Sequence, residues 1–101
     1  MEKETSNPYL DKIRRMVLSE LGKEPVRIYF FGSRACGTAS RGSDVDIAVE
    51  PKAGFDLSKL ALLREKLEES DIPYKVDIVN LDSADARFKG QVHKDGILWK
   101  D

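Results

Sequence analysis

Residues 26–50 read VRIYFFGSRACGTASRGSDVDIAVE, and the two ends of this stretch decide the fold. Val26–Arg27–Ile28–Tyr29–Phe30–Phe31 is β-branched and aromatic, too short for a helix of ordinary length and closed by Gly32, which makes it a first strand. Asp44 to Glu50 alternates strictly, placing Val45, Ile47 and Val49 on one face and Asp44, Asp46 and Ala48 on the other, the pattern of a second strand. Between them, residues 33–43 are rich in Gly, Ser and Thr and carry Arg34 and Arg41, a composition suited to a short helical turn followed by a loop. The chain therefore turns back on itself here.

Working outward, Asn7 and Pro8 supply a cap and a first-turn proline for a helix whose apolar face is Leu10, Ile13, Val17 and Leu21, ended by Gly22. Downstream, Asp56 caps another helix in which Leu57, Leu60, Ala61, Arg64 and Leu67 share a face with Leu63 at its edge. Pro73 precedes an alternating run, Tyr74 to Asn80, and the intervening helix is long enough to bring this third strand in parallel to the second. Asp82 or Ser83 caps a last helix to about Lys94, and Ile97–Leu98–Trp99 after Gly96 adds a small strand or lids the core. The expected architecture is one α/β (α+β) domain over residues 1–101, a small mixed β-sheet with helices packed on one face.

The composition agrees with a single core: 101 residues, 41% apolar and 35% charged. Lys and Arg (17) nearly cancel Asp and Glu (18), leaving a net charge of −1, which disfavours direct nucleic-acid binding through a strong basic field. One cysteine, Cys36, excludes an internal disulfide and a Cys-rich zinc site and points to a reducing interior. No secretory leader or apolar run of the roughly 18 residues needed for a membrane span is visible, so a cytoplasmic protein that does not engage membranes is expected.

The chemistry sits on the two strands and the turn between them. Asp44 and Asp46, two apart on a strand, project from one face with α-carbons roughly 6.6 Å apart, and Asp77 arrives on the third strand. Two carboxylates about 4 Å apart repel by about 4 kcal/mol at an effective dielectric of 20, so such a pair is comfortable only if protonated, solvated or bound to a cation. With no His or other Cys nearby, the cation that suits these oxygens is Mg²⁺, which prefers carboxylates together with substrate phosphates. Gly32 and Ser33 stand at a strand-to-helix turn, where glycine permits close backbone approach and amides at a helix start attract an anion. Taken singly, Asp-x-Asp also reads as a solvated strand face and Gly-Ser as a plain turn; together they suit nucleoside triphosphate chemistry.

The run GSRACGTASRGSDVDIAV, with Gly-Ser, ten residues and Asp-x-Asp, followed later by VDIV, resembles the minimal nucleotidyltransferases of the DNA polymerase β superfamily. Most similar are the small antitoxins encoded beside a HEPN-domain partner. The resemblance implies the polymerase-β-type palm fold and Mg²⁺-dependent transfer of AMP from ATP to a tyrosine of the HEPN toxin, with two metal ions. It implies that Gly32 and Ser33 bind the nucleotide, that Asp44, Asp46 and Asp77 are metal ligands and catalytic, and that Asp77 also serves as base. Arg34 matches a position that is often arginine in the family, whereas Cys36 stands where many relatives have arginine.

Two further functions fit the same residues: a non-catalytic antitoxin that neutralises its partner by binding, and a nucleotidyltransferase acting on RNA or a small hydroxylated acceptor. The acidic balance argues against RNA. The small size argues against a built-in acceptor pocket unless a homo-oligomer forms one between copies. Arg34 and Arg41 read as surface or partner-facing, Cys36 as a small packing residue, and His93 as a surface side chain near a helix C-terminus. Among the aromatics, Tyr29, Phe30, Phe31, Phe55, Phe88 and Trp99 read first as packing, with the choice of any base-stacking ring left open.

Overall fold

The computed structural model describes residues 8–32 and 44–101. The Asn7 cap, Ser33, Arg34, Cys36, Arg41 and the turn and loop expected over 33–43 lie outside the described residues.

Helix α1 (Pro8–Leu21) starts on the proline, whose fixed φ suits a first helical turn, and buries Leu10, Ile13, Val17 and Leu21, the face read from the sequence. Strand β1 (Val26–Phe31) follows, then β2 (Val45–Pro51), helix α2 (Ser58–Glu69), β3 (Val76–Asn80), a 3-10 turn (Leu81–Ser83), helix α3 (Ala86–Asp95) and β4 (Ile97–Lys100). The sheet order is β3-β2-β1-β4. β1 runs antiparallel to both β2 and β4, and β2 and β3 are parallel, as the helical crossover requires. The sheet is therefore mixed.

Val26, Ile28 and Phe30 of β1 and Val45, Ile47 and Val49 of β2 face α1 and α2, meeting Leu60, Leu63, Leu67 and Ile78 in the main core. On the other face, Tyr29 and Ala48 are buried under Leu81 and Val92, with Phe31, Ala84 and Phe88 around them. The expectation of helices on one face is thus corrected: α1 and α2 share a face, while α3 and the 3-10 turn cover the other. The reason lies in β1, a central strand whose Tyr29 and Phe31 are as apolar as its Ile28 and Phe30 and need cover too. The fold class stands.

Three local readings are also refined. The buried stripe of α2 is Leu60, Leu63 and Leu67, so Leu63 lies at its centre, whereas Leu57 and Ala61 are exposed and the exposed Arg64 turns aside to bond the Ile78 carbonyl. Asp56 caps as expected, accepting from the Ser58 amide at 3.0 Å and the Ser58 hydroxyl at 2.7 Å. The last helix is capped by Asp85, which accepts from the Phe88 amide at 2.8 Å, not by Asp82 or Ser83. Burial of Leu81 holds those two residues in the 3-10 turn, where the Asn80 side chain accepts from the Asp82 amide. β3 begins at Val76 rather than Tyr74, whose ring packs edge-on against Tyr9.

β4 pairs Lys100 with Ile28 and Leu98 with Tyr29, leaving Trp99 as a bulge residue between them. The Trp99 ring stacks on Phe30 at 5.2 Å, with the Arg14 guanidinium 5.8 Å from its centroid. At the far end of β2, the Glu50 carboxylate faces His93 at 3.0 Å, Arg27 at 3.6 Å and Lys89 at 3.7 Å, tying α3 to the sheet. Burial pushes Glu50 up, but the His93 hydrogen bond and the charges of His93, Lys89 and Arg27 outweigh it and hold the carboxyl below its ordinary value. Among the described residues no helix is long and apolar enough to cross a membrane.

Candidate active site

The turn leaving β1 is built around Gly32, whose φ of +88° lies in the left-handed region that only glycine enters without strain. Its α-carbon also lies against Asp46: a Cβ added there would stand 2.3 Å from Asp46 Oδ2, 3.2 Å from its Cγ and 3.3 Å from its Cβ. Glycine is needed at this position for two independent reasons. Gly32 and the Asp-x-Asp strand, far apart in sequence, are in contact through this pair.

Sheet register brings in the third acid. Asp46 is the direct partner of Asp77 across the parallel β2–β3 pair and of Phe31 across the antiparallel β1–β2 pair. Directly paired residues share a face, so Phe31, Asp46 and Asp77 line one row across three strands. Asp44, just ahead of β2 and two residues from Asp46, adds its charge from the same side. Asp44 and Asp77 are exposed and Asp46 is half-buried.

This row occupies the face that α3 covers only in part. The α3 ring of Phe88 meets Phe31 edge-on, with centroids 5.6 Å apart, and forms an apolar wall beside the acids. Phe31 was one of several aromatics that the sequence left equivalent. Its parity in β1, one residue before the glycine turn, is the signal that singles it out.

Electrostatically the row is unbalanced. Burial first, then the charges of Asp77 and Asp44, push the Asp46 carboxyl above the ordinary aspartate range. No described cation forms an ion pair with any of the three. As they stand, no three Asp, Glu, His or Cys side chains among the described residues are grouped tightly enough to cage a metal ion by themselves. A hard divalent cation does not require a protein cage: Mg²⁺ is commonly held by one or two carboxylates with substrate phosphates completing its shell. An all-carboxylate donor set with a half-buried, charge-strained member at its centre fits that use. Of the five residues singled out from the sequence, Gly32, Asp44, Asp46 and Asp77 are brought together here, and Ser33 lies outside the described residues.

Comparison with known proteins shows what the chain as a whole is similar to. A Haemophilus influenzae protein named "Probable protein adenylyltransferase MntA" is 31% identical over 67 residues, 66% of this chain; the match spans 59% of that relative's length. A solved toxin-antitoxin complex with AMP-PNP contains a chain 32% identical with a TM-score of 0.66, the match covering 85% of this chain and 71% of that one. In a second, a tri-AMPylated Shewanella oneidensis HEPN toxin in complex with its MNT antitoxin, the matching chain is 30% identical with a TM-score of 0.61, over 90% of this chain and 68% of that one. The family model described as "Polymerase beta, Nucleotidyltransferase" matches residues 12–100, so the chain belongs to the polymerase beta nucleotidyltransferase family.

Proposed function

We propose that the protein is an MntA-like antitoxin that transfers AMP from ATP to a tyrosine of a HEPN-domain toxin, with Mg²⁺ held by Asp44, Asp46 and Asp77. The single observation that carries the reading is the row Asp46–Asp77, joined by Asp44 and braced by the bare α-carbon of Gly32. Support for the acceptor comes from the AMPylated HEPN toxin bound to a relative of the same fold.

In this reading the triphosphate lies over the Gly32 turn beside Asp46, where the Ser33 hydroxyl would add a donor to the phosphate oxygens. Bound Mg²⁺ would neutralise the triphosphate charge and stabilise the departing pyrophosphate. Asp44 and Asp46 would hold the metal beside the phosphates, and its charge would offset their mutual repulsion. Asp77, at the exposed end of the row, accepts the proton of the tyrosine hydroxyl as that oxygen attacks the α-phosphate. The new bond is tyrosine oxygen to phosphorus, the bond broken joins the α-phosphate to pyrophosphate, and pyrophosphate leaves. The Phe31–Phe88 wall supplies apolar surface beside the reacting groups.

A small domain with its acids on an open sheet face has little room to bind an acceptor, which favours one presented by a partner chain. The test is labelled-ATP transfer to the HEPN neighbour in the presence of Mg²⁺. Asp44→Asn/Asp46→Asn is expected to abolish the label while the protein stays folded; full labelling by this double variant refutes the assignment.

A further inference from the structure

One residue from Asp77, the outer edge of β3 is held by a side chain that the proposed chemistry does not use. β3 has five residues and, among the described residues, pairs only with β2, through a parallel ladder, the weaker kind of pairing. The Val45 amide donates to the Lys75 carbonyl at 2.9 Å, so the Lys75 carbonyl points toward β2. Alternation along an extended strand then directs the peptide groups of Asp77 toward β2 and those of Val76 and Ile78 to the open edge. At that edge the guanidinium of Arg64, from α2, donates from Nη2 to the Ile78 carbonyl at 2.9 Å.

Water alone would satisfy an edge carbonyl, so the guanidinium is not required to avoid an unmade hydrogen bond. What it adds is a fixed distance between α2, anchored in the core by Leu60, Leu63 and Leu67, and the strand that carries Asp77. The bond is charge-assisted and so stronger than a neutral one. We infer that Arg64 is a positioning residue, clamping the edge strand so that Asp77 stays opposite Asp46. The inference rests on the reading of the three aspartates as the metal-holding acids. Because Ile78 remains buried in the main core, loss of the clamp loosens the position of β3 without unfolding the domain.

The test measures Mn²⁺ binding by electron paramagnetic resonance, with a non-hydrolysable ATP analogue, for the wild type, Arg64→Met and Arg64→Lys, beside AMP transfer and thermal melts. Arg64→Met is expected to weaken Mn²⁺ binding by about tenfold, the low end for groups that orient a metal ligand. It should also lower kcat comparably while the KM for ATP stays within about twofold, since Gly32 and Asp46 lie outside β3. Arg64→Lys, which keeps one donor for the one bond made, should recover most of both losses. An Arg64→Met protein with wild-type Mn²⁺ affinity and kcat, even if it melts earlier, overturns the inference and leaves the site reading intact. A wild type that neither binds Mn²⁺ nor transfers AMP overturns the site reading itself, and the inference with it.

Discussion

Replacing Gly32 by alanine separates backbone strain from site chemistry, because a second glycine supplies the control. Gly32 and Gly54 share nearly the same backbone conformation, at φ +88° and +90°. Forcing an L-residue into that region costs about 1–2 kcal/mol, which for a domain of this size lowers the melting temperature by about 4–16 °C. Gly54 has nothing within 4 Å of an added Cβ, so Gly54→Ala carries only this strain. In Gly32→Ala the methyl would stand 2.3 Å from Asp46 Oδ2, and an ordinary contact of more than 3.4 Å requires the carboxylate to retreat by about 1 Å. A misplacement of that size at a reacting site costs on the order of 10²-fold in rate. The carboxylate is the mobile end of a side chain, so its retreat adds little to the stability loss. Both variants should therefore melt earlier by similar amounts, by circular dichroism, while single-turnover AMP transfer falls about 100-fold only in Gly32→Ala. Equal transfer by the two variants refutes the claim that the glycine makes room for Asp46.

Asp46→Asn removes a half-buried carboxylate repelled by Asp77 and Asp44, so the metal-free protein should melt at or above the wild-type temperature at pH 7 while transfer is lost; a clear fall in melting temperature contradicts this. Glu50 gives the opposite dependence. Its carboxyl is held below the ordinary value of 4.5, so its contribution is present above that pH and is lost as the pH falls through the lower folded-state value. Glu50→Gln should cost about 1–3 kcal/mol at pH 7 in urea unfolding, and the difference should shrink as the pH is taken below 4.5; a constant difference down to pH 3 refutes it. Trp99→Ala loses the stack on Phe30 and the Arg14 contact and should cost about 2–3 kcal/mol, measured by the same method.

Much of this was legible in the residues. β1 is bounded by Gly and Pro, α1 by Pro8 and Gly22, and the alternation of Asp44 to Glu50 reports a face toward the core because that face is buried. What escaped depends on contacts distant in sequence. Nothing in the period of VDIV tells that Asp77 pairs with Asp46 rather than with a residue two positions away, since register is set by how α2 seats on the sheet. The helical face of α2 was ambiguous because leucines occupy positions 57, 60, 62, 63 and 67, and only packing selects among them. The cap at Asp85 competes with Asp82 and Ser83 on equal local terms, and burial of Leu81 decides it. Gly32 was legible as a turn, but its contact with Asp46 required the paired strands.

The most direct test of the central claim weighs the HEPN partner by intact-mass spectrometry after incubation with this protein, ATP and Mg²⁺. The account predicts a gain of one or more AMP units, mapped to tyrosine and absent with Asp44→Asn/Asp46→Asn. An unchanged partner mass, with a stable complex still formed, contradicts it and leaves a binding-only antitoxin.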